Sequence, residues 1–270
     1  METKRESASV VETGGRRLAV YDLSQPLSAR AGDGDAIKHE ITYLLPAATA
    51  AVMERAQGLP AASWPQGAAF NSELVSLSTH SGTHVDAPAH YGPRPDGRPA
   101  RTIEQVPLRW CIEDGVLLDV RSRGAGEHID TACLEAELAR IGHDLRPYDV
   151  VLLLTGCSAR FGTADYDTVH PGLTRQATEF LVDRGVRLIG TDAWGLDRPF
   201  PVMVAEAKAG DTTQLWQAHV LGREKEYCQI ENLAGLEALP RPTGFTVVAL
   251  PWKLERASAG WARVVAMYEA

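Results

Sequence analysis

The sequence has little of what marks secreted, membrane or nucleic-acid-binding proteins. No apolar run approaches the roughly 20 residues needed to cross a bilayer, and the polar N-terminus METKRE lacks the apolar core of a signal peptide. The net charge is −8 and Lys and Arg form no basic stripe, which argues against binding to nucleic-acid phosphates. We therefore expect a cytoplasmic protein that binds a small-molecule substrate, and neither nucleic acid nor a membrane.

Cysteine is also scarce, and its placement excludes a cysteine-based metal site. The four cysteines are widely separated, at positions 111, 133, 157 and 228, and no two have the spacing of paired zinc ligands. Cys157 follows a predicted strand, but no base stands beside it in the sequence. This pattern favours packing or pocket lining over the role of a nucleophile.

The chain of 270 residues can bury a substantial core, and we predict a single domain over residues 1–270 with a flexible N-terminal extension at residues 1–15. Apolar periodicity predicts two helices, at residues 131–141 and 174–184. It predicts strands at residues 17–22, 40–45, 74–78, 115–120, 149–155, 188–191, 245–249 and 262–268. This alternation indicates the α/β class, with a mixed β-sheet or barrel-like β core flanked by helices.

The most informative segment has four potential metal-binding or proton-transferring side chains within eleven residues. They are His80, His84, Asp86 and His90. Neutral imidazoles bind Zn²⁺ and other first-row divalent ions, and a carboxylate adds charge and can bridge two ions. An isolated histidine is usually a surface or core residue, but four such groups together predict a metal site.

The local sequence also predicts the conformation of this segment. Gly82 and Pro88 argue against a regular helix, although His80 and His84 are four residues apart. The preceding residues 74–79 alternate apolar with small polar side chains, so we predict a strand that delivers His80 at its end, followed by an irregular loop. Three ligands would leave a coordination position open, as catalytic sites require.

Residues 80–90 match the pattern H-x-G-T-H-x-D-x-P-x-H, and here the chain resembles the cyclase-like metal-dependent hydrolases. This group includes bacterial kynurenine formamidase and isatin hydrolase. The resemblance implies that His80, His84 and Asp86 bind one ion and that Asp86 bridges to a second. It implies that His90 acts as an acid and base.

The resemblance extends to the C-terminal half of the chain. His219 and Glu231 are twelve positions apart and stand where the family has the remaining ligands of the second ion. Taken alone, each would be an ordinary polar residue. The family pattern implies one or two ions per chain, with Zn²⁺ and Mn²⁺ as the candidates. Further similar segments are DLSQP at 22–26, HPGL at 170–173, GTD at 190–192 and SAGWAR at 258–263.

Two tryptophans are candidates for substrate binding. Trp64 lies in a segment that is either a surface excursion or a substrate-facing insertion, and Trp194 begins the stretch 194–200, which is bulkier than its counterpart in the formamidases. Either tryptophan could instead pack in the core. The Pro-rich loop at 93–99 is either a connecting turn or the rim of a pocket.

Three functions agree with these residues. The first is a metal-dependent hydrolase of a small cyclic or aryl amide or lactam, and the second is a metal-assisted cyclase that closes a ring of an aromatic polyketide-type intermediate. The third is a noncatalytic metal-binding protein, against which His90 argues because a storage site needs no acid or base. The resemblance also implies the kynurenine formamidase/cyclase fold and a homodimer or larger homo-oligomer.

Overall fold

The computed structural model describes residues 8–28 and 39–270, which fall into two compact units. The first unit contains residues 8–27 and 79–270, and the second contains residues 28 and 39–78. The candidate site residues from His80 onwards all lie in the first unit, whereas Trp64 lies in the second. The extent of the domain, residues 1–270, stays a prediction.

Short helices alternate with strands along the described residues. The strands are β1 (Ser9–Thr13), β2 (Arg16–Asp22), β3 (Glu40–Leu44), β4 (Ser72–Ser76), β5 (His84–Asp86), β6 (Ile112–Asp119), β7 (His128–Ile129), β8 (Val150–Leu154), β9 (Gly172–Leu173), β10 (Leu188–Thr191), β11 (Cys228–Glu231), β12 (Phe245–Val248), β13 (Ala259–Trp261) and β14 (Val265–Glu269). The α-helices are α1 (Pro46–Gln57), α2 (Leu108–Cys111), α3 (Thr131–Ile141), α4 (Arg175–Asp183), α5 (Phe200–Lys208) and α6 (Gln217–Glu224). Each helix of the described residues is too short or too polar to span a membrane.

Ten strands of the first unit form one mixed sheet in the order β1-β2-β14-β12-β6-β8-β10-β11-β5-β13. The central strands β6, β8, β10 and β11 run parallel to their neighbours in that group. The strands on either side of this group pair antiparallel. A large mixed sheet flanked by helices confirms the predicted α/β fold class.

The central strands are buried on both faces. All five residues of β8 are buried. Val150 and Leu152 pack into one apolar cluster, whereas Val151 and Leu153 pack into a second cluster that includes residues of α3 and α4. Successive side chains of a strand point to opposite faces, so burial on both faces explains why this segment is continuously apolar.

Part of the predicted flexible extension is a strand. Within residues 1–15, β1 pairs antiparallel with β2, and Gly14 and Gly15 connect the two strands with positive φ values of 57° and 75°. A two-residue turn with positive φ at both positions favours a hairpin, and glycine adopts it readily. Residues 9–13 of the predicted extension therefore pair with the sheet as β1, and residues 1–7 lie outside the described residues.

Helix α3 spans the residues predicted for it because both of its ends are marked in the sequence. The Asp130 side chain accepts a hydrogen bond from the Cys133 backbone N–H, and Gly142 follows in the left-handed conformation.

The second unit contains α1 and the two-stranded antiparallel sheet of β3 and β4. The strand predicted at 74–78 is observed as β4, two residues earlier. Five apolar side chains of this unit are exposed, by 48% to 64%. They are Tyr43, Leu45, Phe70, Leu74 and Val75.

Candidate metal centre

The first group of candidate ligands lies on and around β5, and we call residues 80–90 the first arm. β5 pairs antiparallel with β11 and β13, which places His84 opposite Glu231. The predicted irregular loop is wrong for His84–Asp86, which form a strand because their backbone pairs with β11 and β13. Alternation along the strand directs His84 and Asp86 to the same face.

The turn that precedes β5 depends on Gly82. Its φ is +59°, and a Cβ atom at this position would lie 2.4 Å from Cδ2 of Leu27. Only glycine meets both conditions without strain. The Gly82 carbonyl lies 2.8 Å from Nδ1 of His84, and an Nδ1–H donating to it leaves Nε2 as the electron-pair donor.

Asp86 lies at the centre of the histidine cluster. Its side chain is completely buried, and Oδ1 lies 2.7 Å from Nδ1 of His80 and 3.3 Å from Nε2 of His84. Oδ2 lies 3.8 Å from Nε2 of His90. The structure thus brings together the four side chains of the first arm.

Three buried atoms at this point make no hydrogen bond of good geometry among the described residues, although Oδ1 of Asp86 is within ion-pair distance of His80. They are both carboxylate oxygens of Asp86 and Nε2 of His84. Burial of such atoms is costly unless a partner or a metal compensates for lost hydration. His80, His84 and Asp86 each offer one ligand atom, all within 4.8 Å of one another. This donor set fits a divalent ion such as Zn²⁺ or Mn²⁺.

His90 reaches the cluster from a 3₁₀ turn that follows β5. This turn, Pro88–Tyr91, folds the chain back so that the rings of His80 and His90 lie 4.0 Å apart between centroids. Nε2 of His80 also lies 3.0 Å from Oγ of Ser258. His90 is therefore within reach of the proposed ligands without being next to them in the sequence.

The second group of candidate ligands comes from α6 and β11, and we call His219 and Glu231 the second arm. Asp86, His90 and His219 each offer one ligand atom, and these atoms also lie within 4.8 Å of one another. Helix α6 can approach the turn after β5 because Gly222 has no side chain: a Cβ atom there would lie 2.1 Å from the Tyr91 ring.

Asp197 orients the His219 ring. Its Oδ2 lies 2.5 Å from Nδ1 of His219. The same carboxylate accepts hydrogen bonds from the backbone N–H groups of Ala218 and His219, at 2.8 and 3.2 Å. A carboxylate on one imidazole nitrogen leaves the other nitrogen for a metal and fixes the ring. Sequence reasoning missed this role because Asp197 lies 22 residues before His219.

Glu231 ends β11 beside the first arm. Its Oε2 lies 3.5 Å from Nε2 of His84, and a Cβ atom on Gly195 would lie 3.5 Å from its Oε1. The second arm therefore meets the first in one centre, with His219 near Asp86 and Glu231 near His84. The individual roles of these residues as ligands stay predictions.

The pKa values of the titratable groups in the cluster are shifted in different directions. Burial, together with the neighbouring imidazoles, lowers the pKa of His90 to about 4 despite the attraction of Asp86, so His90 is neutral at neutral pH. Burial also opposes protonation of His84, but the carboxylates of Asp86 and Glu231 outweigh it and raise the pKa of His84 to about 9. Burial and the nearby Asp86 carboxylate raise the pKa of Glu231 to about 7.

Three aromatic side chains, Trp194, Phe200 and Trp216, lie beside the second arm, and we call them the aromatic wall. The indole of Trp216 stacks on the His219 ring, with centroids 4.3 Å apart and an angle of 8° between planes. Phe200 links the two indoles, at 5.9 Å from Trp216 and 6.0 Å from Trp194. Sequence reasoning identified Trp194 and missed Trp216, because Trp216 precedes α6 in a left-handed conformation that no helical spacing predicts.

Trp64 lies in the second unit. Its ring packs edge-on against Phe70, with centroids 6.5 Å apart. Its proposed contact with substrate stays a prediction.

Cys157 packs in the protein interior, as its sequence context suggested. All four cysteines are free thiols, and the Cys157 thiol donates a hydrogen bond to the Val169 carbonyl at 3.5 Å. Burial raises the pKa of this thiol, which disfavours the thiolate that a nucleophile requires.

Comparison with known proteins agrees with this site. The model of the Cyclase family, described as "Putative cyclase", matches residues 21–198. The chain belongs to this family. It is 30% identical over 198 residues to kynurenine formamidase of Paracidovorax citrulli (strain AAC00-1), covering 72% of this chain and 79% of that protein. It is 31% identical over 192 residues to kynurenine formamidase of Maricaulis maris (strain MCS10), covering 71% and 78%. The chain is therefore an enzyme of the cyclase family.

Solved structures show the same fold. Isatin hydrolase A from Labrenzia aggregata, bound to benzyl benzoate, superposes with a TM-score of 0.72 over 94% of both chains at 23% identity. Isatin hydrolase A from Ralstonia solanacearum gives a TM-score of 0.73, with 22% identity, over 93% of this chain and 92% of that one.

Proposed function

We propose that this enzyme is a metal-dependent hydrolase of a small cyclic or aryl amide or lactam. The observation that carries the proposal is the buried Asp86 carboxylate, whose oxygens face imidazole nitrogens of both the first arm and His219 without a hydrogen bond of good geometry. Several imidazoles that converge on one buried carboxylate are typical of a metal centre.

The residues that would hold a metal are His80, His84 and Asp86 for one ion, and Asp86, His219 and Glu231 for a second. Zn²⁺ and Mn²⁺ are the proposed ions, because imidazole suits the first and carboxylate suits the second. A divalent ion in this centre supplies a Lewis acid that polarises a carbonyl group and acidifies water.

His90 is proposed as the acid and base. Burial lowers the pKa of His90 to about 4, so its imidazole is neutral at neutral pH and offers a lone pair to a proton of the attacking water, although the same shift makes it a weaker base. Asp86, with Oδ2 3.8 Å from Nε2 of His90, favours the charged imidazolium that results. The imidazolium can then donate the proton to the departing amide nitrogen. The proximity of His90 to Asp86 and His219 also permits ligation, and a variant separates the two roles below.

The aromatic wall supports a flat substrate. The Trp194 ring packs against Phe200, and aromatic faces bind planar rings through apolar burial and stacking. The names of the relatives, kynurenine formamidase and isatin hydrolase, agree with hydrolysis as the reaction. We propose Trp194 as a substrate contact on these grounds, and Trp64 on its sequence context alone.

Ring closure is the second candidate reaction. A solved structure described as a potential metal-dependent hydrolase with cyclase activity superposes with a TM-score of 0.64. The same polarised carbonyl would then be attacked by a carbon of the substrate in place of water.

A substrate panel tests the proposal. Purified enzyme is assayed with N-formyl anilines, isatin-like lactams and poly-β-ketone intermediates, before and after chelation and after addition of Zn²⁺ or Mn²⁺. We expect hydrolysis of an amide or lactam that chelation abolishes and a divalent ion restores. Ring closure of the polyketone alone would favour the second candidate, and full activity in rigorously metal-free enzyme would contradict both.

We also propose a homodimer or larger assembly. The exposed apolar side chains of the second unit support it, because a two-stranded sheet with exposed apolar residues gains stability from burial against a partner. Light scattering tests this, with Leu74→Glu as the disrupting variant and Glu54→Gln on the surface of α1 as the control. A monomeric wild-type enzyme with full activity would contradict it. Location in the cytoplasm stays a prediction.

A further inference from the structure

Trp216 has a backbone conformation that its residue type disfavours. It precedes α6 with φ 53° and ψ 46°, in the left-handed region where a bulky side chain is strained. Its side chain does not cap the helix, because Asp197 accepts the hydrogen bonds of the Ala218 and His219 backbone N–H groups. Capping of the helix by this side chain therefore does not explain the conformation.

The conformation places the indole flat against the His219 imidazole. The two rings are 4.3 Å apart and inclined by 8°, and the indole also meets the edge of His90 at 5.7 Å. The Tyr91 ring lies perpendicular to His219 at 5.3 Å. With Asp197 holding Nδ1, the His219 ring is confined at its face, its edge and one nitrogen.

The same indole borders an open pocket of about 520 Å³, which is lined by residues of α4, α5 and α6 and of the segment 212–215. The residues that line it include Trp216, Phe200 and Val220. His219 does not line it, and its side chain is only 4% exposed. The Trp216 side chain therefore stands between the pocket and the imidazole.

We infer that Trp216 is a positioning residue of the metal centre: its indole holds the His219 imidazole in the orientation that a metal ion needs and closes the centre against the adjacent pocket. This inference rests on the proposed metal-dependent function. A metal-bound imidazole carries partial positive charge, and the negative face of an indole attracts it. The stack is therefore expected to stabilise the metal-bound form more than the metal-free form.

Metal affinity tests the inference directly. Dissociation constants and stoichiometry for Zn²⁺ are measured by competition with a chromogenic chelator for the wild type, Trp216→Leu, Trp216→Phe and Trp252→Phe. Trp252 is 63% exposed and packs against Trp261, so its variant controls for loss of a tryptophan elsewhere. We expect Trp216→Leu to weaken the more weakly bound ion by about 10- to 100-fold, as loss of an outer partner of a ligand typically does. Trp216→Phe keeps a flat ring and should recover most of the loss.

Intrinsic fluorescence gives a second readout that does not need activity. Addition of Zn²⁺ to metal-free wild type should change tryptophan emission, because the indole stacked on His219 senses the charge that the ion brings. The change should shrink in Trp216→Phe, where Trp194 is the tryptophan that remains beside the second arm, and persist in full in Trp252→Phe. If Trp216→Leu fails to fold, as judged by circular dichroism, this measurement on Trp216→Phe decides.

The outcomes separate this inference from the proposed function. Wild-type metal affinity in Trp216→Leu, or an undiminished fluorescence change in Trp216→Phe, would overturn the role of Trp216 and leave the metal centre intact. A wild-type protein that binds no divalent ion would overturn the metal-dependent function and this inference with it.

Discussion

The two arms of the metal centre are constructed differently. The first arm presents its donors from eleven consecutive residues, on a turn, a three-residue strand and a 3₁₀ turn. The second arm takes His219 from a helix and Glu231 from a strand. Asp197 and Trp216 then fix the His219 ring.

This difference indicates a division of roles. The first arm contains buried donor atoms that make no hydrogen bond of good geometry, so we expect a metal to compensate for their lost hydration. The second arm has a ring already held by a carboxylate and an indole, so its geometry is preorganised. We therefore expect variants of the first arm to abolish metal binding and variants around the second arm to weaken it by degrees.

The largest expected effect is that of Asp86→Asn. The change removes the charge of the one carboxylate that both groups of ligands share, so we expect bound metal and activity to fall to background. Metal content by mass spectrometry and turnover on the same preparation check this. Asp96→Asn, a carboxylate paired with Arg94 and Arg98 at the surface, is the control and should keep both. Retention of full metal content in Asp86→Asn would contradict the shared role.

His90→Asn should have the next largest effect and should separate chemistry from binding. Loss of a general acid and base typically reduces the rate by about 10²- to 10⁴-fold, and we expect that loss with metal retained. Turnover and metal content are measured together. Loss of metal would make His90 a ligand, and an unchanged rate in metal-loaded enzyme would remove it from the mechanism.

Asp197→Asn should weaken the second arm without emptying the first. An amide in place of the carboxylate loses the charge-assisted contact with Nδ1 of His219, and loss of such partners typically costs about 10- to 100-fold in metal affinity or activity. Titration with a competing chelator measures this loss of metal affinity. Asp211→Asn, which changes a carboxylate bonded to Thr213, is the matched control. Equal affinities in the two variants would show that His219 needs no such support.

Metal affinity should rise with pH by up to about tenfold per unit below pH 9. The pKa of His84 is raised to about 9, so an ion that binds its imidazole at lower pH must displace a proton. By the same shift, protonated His84 stabilises the fold of the metal-free protein. This stabilisation is fully present below the pKa of His84 in the unfolded protein, about 6.5, and is lost as the pH rises through 9. Calorimetry in buffers of different ionisation enthalpy counts the released proton. Binding at pH 7 without proton release would contradict the shift.

The sequence predicted the first arm better than its surroundings. The four donors of the first arm lie close together in the sequence, so their spacing alone predicts a metal site. The family pattern pointed to His219 and Glu231. Asp197 and Trp216 gave no comparable signal, because their roles depend on how α6 packs after the chain has folded. The same reason explains the strand at His84–Asp86: its partners β11 and β13 are distant in sequence, so local glycine and proline suggested a loop.

Helix α3 and strand β10 were predicted at their observed boundaries because their own residues mark them. The N-terminal hairpin was missed, although Gly14 and Gly15 separate two β-prone segments. Short edge strands carry weak periodicity, and their pairing with the sheet stabilises them more than local propensity does.

The most direct measurement of the central claim is anomalous X-ray diffraction from crystals grown with Zn²⁺. We predict two peaks that share Asp86, one within about 2.0–2.2 Å of the donor atoms of His80 and His84 and the other at the same distance from donors of His219 and Glu231. A peak at the first position alone would limit the centre to one ion. Metal density away from Asp86 in fully loaded protein would contradict the account.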